Sequence, residues 1–323
     1  MGFIIKNIEY ALPRNYQKND YLQKKNKSWN IKKIEKKTGI FKRFVSDKKE
    51  NVITLAIKST KKILKKHYKN KIDFILFISQ THNNDLTSAS CLIQNHFSLK
   101  KNLLAIDLNV GCSGFIYGLK FAESLLNEKN YKSGLVICSD TYTKHISDNN
   151  RSSKPIFSDG SAAILVNYSK FNSLCKFTFG SDGSGFRDLR ILEKDQQQRP
   201  FLKKNDIFMD GNKIALFTMS VIPKNIILTL KKNNMKLKDI DLIFFHQASK
   251  YVIDNLIRIL NIPLQKVFVN YKNLGNTISS SIPIALKMAN KRKILKNNHN
   301  IMLVGFGVGL SWGSTIIKWK KIQ

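Results

Sequence analysis

The chain has 323 residues, 42% of them hydrophobic, which is enough to bury a sizeable core and long for one simple domain. Its net charge of +33, from 55 Lys and Arg against 22 Asp and Glu, is spread along the whole chain and not gathered in one tail or stripe. That distribution reads as a solvated surface and argues against nucleic-acid binding. Four cysteines, Cys91, Cys112, Cys138 and Cys175, do not make a disulfide framework at this length. No Cys-x-x-Cys or His/Cys pair occurs at metal spacing, so no metal site is expected. The first residues lack the apolar core of a signal peptide, and Lys6 stands where the myristoylation pattern needs Ser or Thr. No apolar run approaches the ~20 residues of a membrane span. A cytoplasmic protein is expected.

In chain order, a Lys-rich amphipathic helix is predicted over 52–68 and an apolar strand over 73–80. Residues 103–109 read as a second buried strand. Val110-Gly111-Cys112-Ser113-Gly114 follows, and residues 115–127 carry Phe115, Ile116, Leu119, Ala122, Leu125 and Leu126 at helical spacing. Cys112 therefore lies at a helix N-terminus, where unpaired N–H groups and the helix dipole favour an anion. That setting predicts a thiolate near neutral pH. A nucleophile and a small buried cysteine both fit the segment.

The second half repeats this grammar. A helix is predicted over 217–232 and an apolar strand over 240–245, which ends at His246. Ligands of open α/β sheets bind outside the carboxyl ends of strands, so His246 is better placed for chemistry than the other histidines. His67 and His299 sit in Lys/Asn-rich stretches, and His82, His96 and His145 near loops or element ends. A capping or core role is the alternative for His246. An amphipathic segment over 248–257 and a short strand over 266–270 come next. The turn Asn273-Leu274-Gly275-Asn276-Thr277 leads to a helix beginning near Ser280, and a tight turn of this kind can aim Asn276 inward. Alternate glycines in Val304-Gly305-Phe306-Gly307-Val308-Gly309 predict a backbone that approaches something closely, with N–H groups suited to an oxyanion.

Asp73-Phe74-Ile75-Leu76-Phe77 echoes Asp241-Leu242-Ile243-Phe244-Phe245, and Leu135-Val136-Ile137 echoes Leu303-Val304-Gly305. Both pairs lie 168 positions apart (241 − 73 and 303 − 135). The equal offset predicts two similar halves, 1–168 and 169–323. No Pro/Gly/Ser-rich linker divides them, so they should pack as one rigid body.

Eight motifs in order carry a resemblance over nearly the whole chain. They are Lys37-Thr38-Gly39-Ile40, Asp107 to Phe115, Phe157-Ser158-Asp159-Gly160-Ser161-Ala162-Ala163, Asp182-Gly183-Ser184, Met209-Asp210-Gly211-Asn212, His246-Gln247-Ala248, Gly275-Asn276-Thr277 and Gly305 to Gly313. The chain resembles the ketoacyl-acyl carrier protein synthase III family of the thiolase-like superfamily. The resemblance implies an α/β thiolase-like fold of two duplicated halves in five α-β-α-β-α layers. The first half would supply Cys112 and the second His246 and Asn276.

By the same resemblance, Cys112 takes the acyl group of an acyl-CoA. His246 and Asn276 then assist decarboxylation of a malonyl-acyl carrier protein, whose carbanion attacks the acyl-enzyme. The backbone N–H groups of Cys112 and Val308 would form the oxyanion hole. Trp29, Lys37 and Arg151 would contact coenzyme A, with Trp29 and Arg151 sandwiching the adenine. Leu86, reaching across a homodimer interface, and Phe157 would bound the acyl pocket. No tightly bound cofactor is implied.

Three departures, Gly307-Val308-Gly309, Leu274-Gly275-Asn276 and Asn109-Val110-Gly111, move the chain away from the housekeeping enzyme toward relatives in specialised pathways such as polyketide-like or surface-glycan synthesis. An acyltransferase that moves the Cys112-bound group to an amine or hydroxyl is the alternative. A non-catalytic partner subunit is another, against which the retained Cys112, His246 and Asn276 speak.

Overall fold

The computed structural model describes residues 2–64, 70–81, 86–128, 130–171, 173–192 and 205–322. The first half runs β1 (Gly2–Ala11), β2 (Asn15–Lys18), α1 (Asn19–Lys25), α2 (Ile31–Thr38), β3 (Lys42–Val45), α3 (Val52–Ile63), β4 (Phe74–Ile78), α4 (Ala89–His96), β5 (Leu104–Leu108), α5 (Gly114–Leu126), β6 (Ser133–Asp140) and β7 (Gly160–Ser169). The second runs β8 (Thr178–Ser181), β9 (Leu189–Ile191), β10 (Ile207–Met209), α6 (Gly211–Lys232), β11 (Leu242–Phe245), α7 (Lys250–Ile259), α8 (Tyr271–Leu274), α9 (Ser281–Lys291), β12 (Asn300–Gly307) and β13 (Ser311–Lys318).

Two sheets dominate, one ordered β1-β7-β6-β4-β5 and the other β11-β12-β13-β8. Strand alternation decides what lies between them. Phe74, Leu76 and Ile78 of β4 face the same core as Leu242 and Phe244 of β11, while Ile75, Phe77, Ile243 and Phe245 face outward. Both faces are covered, so both sets are apolar. The shared middle layer holds α5 (Phe115, Ile116, Leu119, Ala122, Leu126) and α9 (Ile282, Ala285, Leu286, Ala289). Helices α3 and α4 cover the first sheet, and α6 and α7 the second. The layers are α-β-α-β-α.

Hydrogen bonding amends the repeat by one residue. Asp73 N–H donates to Ser133 O at 2.8 Å, and Asp241 N–H donates to Asn300 O at 2.9 Å. Asp73 therefore matches Asp241 at 168, but Ser133 matches Asn300 at 167. Inward-facing Val136 corresponds to inward-facing Leu303, not to Val304. Buried apolar strands look alike along the chain, so a slip of one is invisible until pairing fixes the face.

Four other expectations change. Helix α6 starts at Gly211, not 217, because the Asp210 carboxylate accepts from the N–H groups of Asn212 (3.2 Å) and Lys213 (3.1 Å). Its 22 residues are long and apolar enough to cross a membrane by length and composition, contrary to expectation. It nevertheless packs on the second sheet, where Asn225 Nδ2 donates to Ser314 Oγ of β13 at 2.7 Å. Strand β5 is an edge strand, with Ile106 44% exposed, and not fully buried. Residues 266–270 make a single bridge, Ile243 to Val267, and no strand, since Lys266 closes a short 3-10 turn instead. Of the helix expected over 52–68, residues 65–68, with His67, lie outside the described residues, as does His82.

The middle layer should dominate stability. Leu119 is fully buried in it. Leu119→Ala is expected to cost about 2–5 kcal/mol in urea unfolding, because the two sheets cannot both collapse onto the void.

Candidate active site

β5 ends at Leu108, and the chain turns sharply before α5. Gly114 N–H donates to Gly111 O at 2.7 Å, and Ile116 N–H to Ser113 O at 2.9 Å. The turn presents Cys112, buried at 5% exposure, to a cavity of about 500 Å³. From the other half, β12 comes against it. A Cβ on Gly307 would lie 2.6 Å from Cys112 Cβ and 2.9 Å from its sulfur, and one on Gly305 would lie 2.9 Å from Ser113 Cα. The backbone approach expected from the alternate glycines is made here, to the Cys112 turn.

His246 follows β11 and continues its line, donating its N–H to Val304 O at 2.8 Å. Its Nδ1 lies 2.8 Å from Ser281 Oγ at the start of α9, and its ring meets Phe306 edge-on. Asn276 is held on both sides by the 156–158 segment. Its N–H donates to Ile156 O (2.9 Å), and its carbonyl accepts from Ser158 N–H (2.8 Å). Asn276 Oδ1 accepts from Ile278 N–H at 2.9 Å, so the NH₂ end of the amide is the one able to donate. Ile278, a β-branched residue at φ 52°, pays for this turn with backbone strain. Cys112, His246 and Asn276 all line the one cavity.

The electrostatics correct one expectation. Burial raises the Cys112 thiol far above its ordinary value, and the Asp140 charge adds to this. The N–H groups of Cys112 and Val308, both directed at the sulfur, only partly oppose it. The resting side chain is a thiol, because burial outweighs the helix N-terminus. Burial likewise pushes His246 down to about 3, against a backbone contact with Ile278, so the imidazole is neutral, with a single ring N–H to donate.

Other expected residues divide. Lys37, Arg151 and Phe157 line the cavity, Lys37 with its ammonium 5.6 Å from the Tyr251 ring. Trp29 does not. It is 8% exposed, and its N–H donates to Asn26 O at 3.0 Å. Leu86 is fully exposed and is not part of this chain's cavity wall, which Ile156, Leu189, Met209 and Ile214 complete. Asn84 and Asp85 of its loop lie outside the described residues. His96 and His299 do not line the cavity, and His145 lines a smaller one that shares Leu189 with it. Sequence reading missed Ser281 and Asp140. The Ser279-Ser280-Ser281 run was the one signal for the first, and nothing local marks the second. No group of three potential metal ligands occurs among the described residues.

Two family models match the chain. Residues 106–183 match 3-oxoacyl-[acyl-carrier-protein (ACP)] synthase III, and residues 230–319 match the C-terminal part of the same family. A beta-ketoacyl-[acyl-carrier-protein] synthase III of Fusobacterium nucleatum is 32% identical, over 98% of each chain. The chain belongs to the 3-oxoacyl-[acyl-carrier-protein] synthase III family. The synthase III of Clostridium perfringens is 35% identical over 95% of this chain and 96% of its own. The crystal structure of the Aquifex aeolicus 3-oxoacyl-[acyl-carrier-protein] synthase III superposes with a TM-score of 0.89 at 29% identity, covering 98% of this chain and 100% of that one. This chain is accordingly a thiolase-like enzyme of the acyltransferase class.

The raised thiol has a direct consequence. Alkylation of Cys112 by iodoacetamide, followed by mass spectrometry, should keep accelerating with pH beyond about 8.5, where a free cysteine titrates. A rate that levels off near neutral pH would restore the thiolate reading.

Proposed function

We propose that the enzyme condenses an acyl-CoA with a malonyl-acyl carrier protein in the cytoplasm, without a tightly bound cofactor. Cys112 sulfur attacks the thioester carbonyl, and the thiol gives up its proton in the same step. The carbonyl oxygen becomes an oxyanion facing the N–H groups of Cys112 and Val308. Coenzyme A leaves as a thiol, carrying away the proton that Cys112 gave up. A malonyl thioester then loses its carboxylate as carbon dioxide, and the C–C bonding pair passes into an enolate. The enolate oxygen accepts hydrogen bonds from the neutral His246 N–H and the Asn276 amide, donors that need no proton in transit. The enolate carbon bonds to the acyl carbonyl carbon, and Cys112 leaves as a thiolate to be reprotonated.

The observation that carries this reading is the convergence of Cys112, His246 and Asn276 on one cavity, with two backbone donors aimed at the sulfur. Lys37 and Arg151 supply positive charge for the phosphates of coenzyme A, and the net charge of +33 favours encounter with an acidic carrier protein. A homodimer is supported by the half-exposed edge strand β5 with Ile106, and by Leu86, an exposed leucine that a second copy would cover. In that assembly Leu86 would close the partner's acyl pocket.

Two experiments test the reading. Incubated with acyl-CoA, Cys112→Ala should show no covalent acyl adduct by intact-protein mass spectrometry. Asn276→Ala should keep partial acylation but lose carbon dioxide release from the malonyl thioester by about 10²–10³, the usual cost of one lost donor. A wild-type enzyme that loads acyl groups yet never releases carbon dioxide would mean transfer to an amine or hydroxyl instead. For chain length, Leu86→Phe should raise kcat/KM for acetyl-CoA relative to a medium-chain acyl-CoA, and Leu86→Ala should do the reverse. One methylene is worth only about 1–3 kcal/mol, so the shift is graded. An unchanged profile in both variants removes Leu86 from the pocket.

A further inference from the structure

Behind Cys112 lies a carboxylate that the mechanism above does not use. Asp140, the last residue of β6, has no solvent exposure. No ion pair neutralises it among the described residues. Neutral donors hold it instead, and they come from both halves of the molecule. From the end of β4, Gln80 N–H donates to Oδ1 at 2.9 Å, and the hydroxyls of Ser79 and Thr81 at 3.3 Å each. From the segment before α9, Ser279 donates to Oδ2 with its hydroxyl at 2.5 Å and its N–H at 3.4 Å.

Both attachments lead to the reacting groups. The Gln80 side-chain oxygen occupies the space where Gly111 would carry a Cβ, and it accepts from Tyr142 OH at 2.7 Å. Ser279 follows Ile278, whose N–H orients the Asn276 amide, and precedes by two residues the Ser281 hydroxyl against His246. A buried, unpaired charge held by five neutral donors is costly and gains nothing for packing that an amide would not.

We propose that Asp140 is a positioning residue, clamping the Ile278–Ser279 turn that orients Asn276 and His246 onto the strand ends that seat Cys112. This rests on the acyl-transfer reading of the site. The titratable groups facing Asp140 are Cys112, Cys138 of β6 and Tyr142 after it, and its negative charge raises the pKa of all three. Burial lifts Asp140 itself to about 6, opposed by the Ser279 hydroxyl and the other donors, so it is charged at the pH where thiols titrate. The carboxylate therefore holds Cys112 as a thiol until the proton is taken, besides holding the turn.

Two variants separate these effects. Asp140→Asn keeps the shape and removes the charge. At a fixed pH near 8.5, iodoacetamide should alkylate Cys112 about three- to tenfold faster in this variant than in wild type. A merely structural residue would not move that rate, and an unchanged rate in folded Asp140→Asn protein overturns the proposal. Ser279→Ala keeps the carboxylate and removes the clamp. It should lower kcat for carbon dioxide release about ten- to a hundredfold while changing KM for acyl-CoA little, as misplacement of a catalytic donor does. Full turnover in Ser279→Ala overturns the proposal even if Asp140→Asn fails to fold. Alkylation needs no thioester, so that arm is informative even if the wild-type enzyme proves not to decarboxylate malonyl thioesters.

Discussion

Everything at this site depends on how closely the Cys112 turn and strand β12 approach. Gly305 and Gly307 bear no side chains because the turn fills that space. The contact joins the two halves at the point where the nucleophile meets its partners. A methyl group on Gly307 would displace the sulfur or the strand, and with the strand would go the Val308 N–H that faces the sulfur. The middle layer of α5 and α9 is the rigid spacer that sets this approach, and both helices begin at the site. Fold and chemistry are therefore the same constraint seen at two scales.

The second governing condition is dryness. Cys112, His246 and Asp140 are all buried, and burial is the largest influence on each. It favours neutral thiol and neutral imidazole in the resting enzyme. In such a medium, charge that develops on a carbonyl or enolate oxygen interacts strongly with fixed N–H donors and weakly with water. The strain at Ile278 is the cost of aiming one of those donors.

The sequence made much of this legible, for particular reasons. Strand, glycine-flanked turn and helix are a local pattern, so the position of Cys112 could be read, as could His246 at the end of an apolar strand. Its electrostatic state could not. Helix geometry suggested a thiolate, but the competing term is depth of burial, which depends on β12 some 190 residues away. Asp140 was invisible because its role comes from Ser279 in the other half. The α6 start hid in the capping function of Asp210. The strand misread over 266–270 has the right composition but only one neighbour to pair with.

The one-residue disagreement between the two halves follows from strand parity. From β4 to β6 the first half uses one residue more than the second does from β11 to β12, yet the same faces point inward in both. A residue gained or lost inside a strand would have turned its inner face outward and emptied the shared core. The length change must therefore have been taken up in the connecting segments. Strand parity fixes which faces point inward, and only the connecting segments are free to differ in length between the halves.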